Sequence, residues 1–349
     1  MSLVSVIIPL YNKARYIKRA VQSVLNQTFE NFELIIVDDG STDESLEIVR
    51  GITDDRLRVI QQANAGPGAA RNRGMDESSG EFLAFLDADD EWTPHFLERT
   101  VLVLKEQPEC AMVIPRRFFN RDDPQEPVRH AKANGLKDGA WRMPPSIGAL
   151  AMEWAIGDCN LSHLLHRTEI LRRYGGCYEQ NRCMYAEGAY LFVQILLNHP
   201  IYRLMEPLVY QDHAASELYV GRKNRFLPVP PMVSDPEPIR SNCHPGYQEQ
   251  LEQWLALRAL RAAVDRVRAG EEQMARHILR TFPGANQYAL EYWSLLADMR
   301  LRKLCGGKLP LHFLMWKLVL NKNWYRSKAK ADIRRAMSAG YQLGDSLSL

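Results

Sequence analysis

The N-terminal part of the chain alternates between two hydrophobic periods. Mainly apolar, often β-branched runs occupy Val4 to Leu10, broken by Pro9, then Leu34 to Val37 and Phe82 to Leu86, with a weaker run at Leu57 to Gln61 and a fifth at Ala111 to Pro115. Between them the apolar positions fall three and four apart, at Ile17, Val21, Val24 and Leu25 and again at Phe96, Leu97, Val101 and Leu104. Asp43 to Gly51 has the pattern of a short helix, opened by Ser41 and Thr42 and closed by glycine. Continuous apolar strands separated by amphipathic helices predict an α/β fold, a mostly parallel sheet with helices on both faces.

The pattern weakens from Arg116 to Gly148, where polar residues and prolines predict no defined element. Ile170 to Gly176 reads as the end of a helix and Tyr185 to Asn198 as a helix. Prolines at 228, 230, 231, 236, 238 and 245 then mark a linker or extended wrap. Beyond Tyr247 the chain predicts amphipathic helices, with Leu251, Trp254 and Leu255, and Met274, Ile278 and Phe282, on their buried faces. The expected organisation is an α/β domain over 1–216, in halves 1–115 and 116–216, a proline-rich linker over 217–246, and a smaller all-helical region over 247–349.

Composition adds limits. With 349 residues, 46% hydrophobic and 25% charged, the chain suits a soluble protein with a substantial core. It has no apolar run of about 18 residues to span a membrane. A strand begins by Val4, which leaves no room for a signal peptide. Six cysteines are scattered without a C-x-x-C pair, so a reduced, cytoplasmic protein without a zinc site is expected. The net charge of +2 conceals an asymmetry: Arg300 to Arg335 carries +10 and the remainder −8. Within this tail, Leu309 to Lys330 joins an apolar stretch to Trp316, Trp324 and flanking lysines. That combination allows peripheral contact with an anionic inner membrane face, but the preferred expectation is a buried helix of the second domain or a contact between protomers in an oligomer.

In open parallel sheets, ligands bind beyond the carboxyl ends of the strands. Here the first strand ends in Pro9-Leu10-Tyr11-Asn12, the second in Asp38-Asp39-Gly40-Ser41 and the fourth in Asp87-Ala88-Asp89-Asp90. Carboxylates this close either raise one another's pKa or bind a cation, and hard oxygen ligands suit Mg²⁺ or Mn²⁺. The competing reading is ordinary helix capping, with Asp43 and Asp90 as caps. Asn64 to Gly74, "NAGPGAARNRG", is a glycine-rich loop opening a helix with Arg71 at its start, which suits a phosphate or simply a turn. Neither a G-x-G-x-x-G after the first strand nor a G-x-x-x-x-G-K-[ST] is present, so dinucleotide and P-loop readings lose their signatures.

"VSVIIPLYN", "IIVDDGSTD", "GAARNRG" and "FLDADD" stand in the order and spacing of the family 2 inverting glycosyltransferases of GT-A fold. The resemblance covers Val4 to Trp92 and continues more weakly through "LRRYGGCYE", "YAEGAYLF" and "YQDHAAS". It implies a nucleotide diphosphate-sugar donor, expected to be UDP-linked, a glycan or lipid-linked acceptor, and no nucleic-acid partner. It implies that Pro9, Tyr11 and Asn12 line the nucleotide site, with Tyr11 stacking on the base, Asp39 accepting from its imide N–H and Arg71 as its polar partner. Asp87 would face the ribose and metal, Asp89 would ligate Mn²⁺ or Mg²⁺, and His213 would close over the diphosphate or metal. The family usually supplies its general base from a Glu-Asp pair at a helix start. Here the matching pair is Glu187-Gly188, which leaves Glu187 as the candidate base, Asp158 and Glu179 as alternatives, and a catalytically degenerate binding or scaffold protein as the competing function.

Overall fold

The computed structural model describes residues 3–288, apart from 134, 213, 214 and 216–227, together with residue 299. In chain order its elements are β1 (Val4–Leu10), α1 (Ala14–Leu25), β2 (Phe32–Asp38), α2 (Ser45–Arg50), β3 (Leu57–Gln61), α3 (Pro67–Asp76), β4 (Phe82–Phe85), β5 (Glu91–Trp92), α4 (Phe96–Glu106), β6 (Met112–Phe118), α5 (Glu126–Ala133), β7 (Gly139–Trp141), α6 (Ala149–Asp158), β8 (Leu165–Arg167), α7 (Thr168–Arg173), α8 (Glu187–Asn198) and β9 (Ile201–Tyr210). The helices α9 (Pro231–Ser234), α10 (Glu237–Ser241), α11 (Gln248–Arg268) and α12 (Glu272–Thr281) follow. The described residues form two compact units, one of residues 3–142 and 156–215, the other of 143–155 and those from 228 on.

The strands of the first unit form one sheet in the order β3-β2-β1-β4-β8-β6-β9-β5, with β7 also on β9. The β3-β2-β1-β4 half is parallel throughout. β8 is antiparallel to both β4 and β6, so β6 runs in the same direction as β4, and β9 is parallel to β6. The longer ladders are the parallel ones, as expected for strands that read as continuous apolar runs. The carboxyl ends of β1, β2, β4 and β6 therefore share one edge.

Both faces of the sheet are covered. Val4, Val6, Ile8 and Leu10 of β1 pack in one cluster with Ile17, Val21 and Val24 of α1 and Phe96, Leu97 and Leu104 of α4. Each fully buried side chain of this size contributes about 1.5–3 kcal/mol. On the other face α3 approaches β1 closely. A Cβ on Gly74 would lie 2.4 Å from Ile7 Cγ2, so only glycine allows this contact without displacing the strand's side chain.

Several local expectations change. The segment from Arg116 to Gly148 holds α5 and β7, too short to leave a periodic signal. The run expected at Ala111 to Pro115 is β6, which continues to Phe118, and its ladder to β9 shifts register between Ile114 and Arg116, an irregularity that tolerates the proline. The proline-spaced stretch contains α9 and α10, each with proline in its first turn, where the missing N–H is no loss. In α12 the buried stripe is Ala275, Ile278 and Leu279, continued by Phe282, whereas Met274 is 46% exposed. At 100° per residue, Met274 stands about 90° from the centre of that stripe. In the second unit, Glu153 accepts from Trp254 Nε1 at 2.7 Å, Arg258 Nη1 at 2.8 Å and Arg261 Nη1 at 2.7 Å, a fully engaged carboxylate beside the buried face of α11. Among the described residues no helix is long and apolar enough to cross a membrane, and the five described cysteines are free thiols. The basic tail and its Leu309 to Lys330 segment lie outside the described residues.

Candidate active site

The strand-end loops are tied to one another by side-chain to backbone bonds. Asn12, in the left-handed region at φ 51°, accepts through Oδ1 from Thr42 N at 2.8 Å, and its own N–H donates to Ser41 Oγ at 3.1 Å. These bonds join the loop after β1 to the loop after β2. Asp43 links the same two regions, accepting from Ala14 N at 3.1 Å and Ser45 N at 3.0 Å. Pro9 is half-buried opposite Val37. Tyr11 is 43% exposed, which leaves its ring available to a flat ligand.

Asp39 is almost fully buried and engaged by its own fold. Its Oδ1 accepts from Ala65 N and Gln62 Nε2, and its Oδ2 from Gly66 N, each at 2.8 Å. Gly66, at φ 96°, is the residue before α3, and Pro67 is the first of that helix. A Cβ on Gly68 would come within 2.5 Å of Tyr178 O, so this glycine lets α3 start against a distant loop. Asp39 thus fixes the start of the helix that carries Arg71.

Arg71 is buried and shared. Its Nη2 donates to Asp87 Oδ1 at 2.7 Å and its Nη1 to Glu187 Oε1 at 2.9 Å. Burial lowers its pKa, but Asp87 and Glu187 outweigh that and raise it, so the guanidinium stays charged. Glu187 opens α8, and Ala186 before it holds a left-handed φ of 63° that turns the chain into the helix.

Beyond Asp87 the acidic cluster has internal order. Asp87 N donates to Ser162 Oγ at 3.0 Å, and Trp92 Nε1 donates to Ser162 O at 2.9 Å, so a one-turn 3₁₀ helix at Leu161–His163 braces the end of β4. Asp89 Oδ2 accepts from Lys13 Nζ at 3.0 Å, and the same ammonium donates to Ala215 O at 3.2 Å. Burial and the neighbouring Asp87 raise the Asp89 pKa, with Lys13 opposing. Asp90 is 2% exposed, and burial with Asp87 and Asp89 pushes its pKa well above the usual carboxylate range. It does not cap a helix. Its Oδ1 accepts from Asp212 N at 3.2 Å, tying the cluster to the end of β9.

The other candidate bases have different surroundings. Asp158 is gripped by Arg116, Nη1 to Oδ1 at 3.2 Å and Nη2 to Oδ2 at 2.7 Å, and although burial raises its pKa, Arg116 lowers it overall. Glu179 Oε2 accepts from Asn72 Nδ2 at 2.8 Å and lines an open pocket of about 460 Å³ with Arg73, Asp76 and Arg172, outside the Asp87 cluster. At Gly188 a Cβ would stand 2.9 Å from Leu161 Cδ1 and 3.3 Å from Phe192 Cε2. That position faces apolar packing, and a carboxylate there would require the Leu161 side chain to shift.

Asp87 and Asp89 fit a hard divalent cation, since two carboxylates two positions apart at a strand end are what Mg²⁺ takes alongside substrate phosphates. Among the described residues no three His, Cys, Asp or Glu side chains form a complete metal site, and His213 lies outside the described residues. The structure thus joins Arg71, Asp87 and Glu187 directly, and Asn12 to the Ser41–Thr42 loop; Asp39 supports them from beneath. Lys13 and Ser162 complete the site and were not singled out by the sequence. Lys13 had only its adjacency to Asn12 as a signal, and Ser162 had none.

Residues 5–175 match glycosyl transferase family 2. An uncharacterised glycosyltransferase of Nostoc sp. is 33% identical over 222 residues, covering 59% of this chain and 63% of that protein. The glycosyltransferase GlyG of Streptococcus pneumoniae is 38% identical over 124 residues, covering 35% of this chain and 40% of that protein. The matched stretch thus spans less than two thirds of these relatives' own length. Among solved structures, S. aureus TarS in complex with UDP-GlcNAc aligns over 97% of this chain and 91% of that one, with TM-score 0.51 and 20% identity. The mannosyltransferase PcManGT from Pyrobaculum calidifontis, in complex with GDP-Man and Mn²⁺, aligns over 96% and 85%, with TM-score 0.51 and 18% identity. Those two likenesses concern the fold. Motif order, sheet topology and the matched stretch agree: the N-terminal part of the chain is a glycosyl transferase family 2 domain of GT-A type.

Proposed function

We propose that this chain transfers a sugar, with inversion, from a nucleoside diphosphate-sugar, with uridine as the expected nucleoside, to a hydroxyl of a glycan or lipid-linked acceptor. The observation that carries the reading is the Asp87–Arg71–Glu187 bridge at the carboxyl edge of the sheet. It links a carboxylate suited to the donor with one suited to the acceptor. Tyr11 offers its exposed ring to the base, and Asp39, by fixing the Gln62–Gly66 loop, shapes the pocket beside it.

In a single displacement one base removes the acceptor proton as the hydroxyl oxygen attacks the anomeric carbon. Glu187 is assigned this role: Arg71 holds Oε1, and Oε2 takes the proton. The bond to the diphosphate breaks with its electron pair leaving on the nucleotide. Asp87 and Asp89 would hold Mn²⁺ or Mg²⁺, which supplies positive charge to the leaving diphosphate when bound. Lys13, beside Asp89, adds a second positive charge there.

Gly188 supports a second reading, a domain that binds donor without transferring it, because the usual aspartate position lacks its carboxylate and is crowded by Leu161. Calorimetry or thermal shift with uridine- and guanosine-linked sugars, with and without Mn²⁺, tests donor binding through ligand stabilisation of the folded state. Transfer or donor hydrolysis by the wild type, lost in Glu187→Gln with donor affinity kept, supports the enzyme. Binding without turnover favours the second reading, and no binding across the panel would falsify both.

A further inference from the structure

The edge that carries the acidic cluster changes sign two strands away. Leu165 of β8 pairs with both Ala84 of β4 and Val113 of β6, so Asp87 and Arg116, each three residues further on, stand level along the edge. Two strand spacings separate them, about 10 Å. Around Arg116 the described residues place Arg117, Arg203 of β9, His163 and Trp141, with Asp158 as the carboxylate among them. Arg116 and Arg203 are buried and Arg117 is half-buried. Arg117 Nη2 reaches Gly157 O at 3.5 Å, and the Arg203 guanidinium lies 3.9 Å over the Trp141 ring.

These groups repel one another. Burial lowers the Arg203 pKa to about 10, with Arg116 adding to the shift and Asp158 opposing it. Burial, then Arg117 and Arg116, hold His163 well below its usual range and therefore neutral. Three buried nitrogens of the cluster, Arg116 Nε, His163 Nδ1 and Trp141 Nε1, have no hydrogen-bond partner. A buried polar group without a partner is costly, and a purely structural Arg116–Asp158 pair would not require the other cations beside it.

We propose that this cluster is a phosphate-binding subsite on the acceptor side, so that the acceptor carries a phosphate group near the hydroxyl that is glycosylated. The inference rests on the glycosyltransferase reading above. Guanidinium forks match phosphate oxygens bidentately, and the tightly clustered donors supply more hydrogen bonds than a neutral sugar could use. The donor's own diphosphate belongs to the Asp87–Asp89 end, which leaves this second cationic group for the other substrate.

The full chain is titrated with inorganic phosphate by calorimetry in EDTA, where the Asp87 and Asp89 carboxylates, without a cation, repel phosphate from the donor end. Saturable binding is expected, weakened about tenfold in Arg117→Gln and in Arg203→Lys, which keep charge or surface position but lose a fork. Both variants should retain wild-type binding of the nucleotide-sugar with Mn²⁺. Arg117 is half-exposed, so its variant decides the matter if Arg203→Lys does not fold. Absence of saturable phosphate binding, or equal binding in wild type and Arg117→Gln, overturns the subsite. Absence of nucleotide-sugar binding in the wild type strikes instead at the glycosyltransferase reading on which it rests. Sulfate and acetate arms separate a tetrahedral-oxyanion site, expected to bind sulfate and not acetate, from a general anion sink, which would bind all three and overturn the assignment to phosphate.

Discussion

The β1-β2-β4 end of the edge and its β6-β9 end are built on different principles. At the first, carboxylates gather with Lys13, Arg19 and the shared Arg71, and backbone N–H groups hold the loops. At the second, arginines gather around a single aspartate. The first end lies on parallel strands that each bury both faces. The second is reached through β8, a three-residue antiparallel strand at the seam. The difference teaches that charge of opposite sign can be kept apart on one sheet by two strand widths, which suits two substrates that must meet at one bond.

The largest effect that would break this division is expected at Glu187. Glu187→Gln should lower turnover by about 10²–10⁴-fold, the usual worth of a general base, with donor affinity nearly unchanged. An initial-rate assay checks this, and near-wild-type turnover would move the base elsewhere. Asp89→Asn should weaken donor binding in Mn²⁺ strongly and in EDTA little, because its carboxylate matters through the cation. Isothermal titration in both conditions tests it; equal losses would remove Asp89 from the metal role.

The seam has its own test. Burial lowers the His166 pKa to about 4, with a bond to Leu83 O opposing, so the folded state holds it neutral. Its contribution is complete above the unfolded value near 6.5 and is lost as pH falls toward 4, roughly 3 kcal/mol over that window. Denaturant unfolding at pH 7 and pH 4.5 should show a smaller drop for His166→Asn than for wild type. The smallest expected effect is at Gly188. Gly188→Asp should cost about 1–3 kcal/mol by crowding Leu161 and should not raise turnover. A gain in rate would show that the family's usual base position is open after all.

The sequence revealed the fold where burial was complete. β1, β2 and β4 appear as apolar runs, and α1 and α4 as three-four spacing, because nothing else competes with the core at those positions. β7, β8 and α5 are short elements whose pairing comes from distant partners, so no local period marks them. The same holds at the site. Asp87 and Asp89 stood out as adjacent charges, but the bond from Arg71 to Glu187 joins residues 116 apart, and no spacing rule anticipates it. Asp39 is the instructive case: its role in bracing Ala65 and Gly66 depends on a loop that only the folded chain brings back to it.

That single guanidinium between Asp87 and Glu187 has an evolutionary consequence. A change at any one of the three residues alters the charge balance felt by the other two, so their substitutions will not combine additively. On the proposed roles, a lineage that remodels its acceptor chemistry through position 187 would drift under constraint from the donor end. The trio should be replaced, when it is replaced at all, as a set.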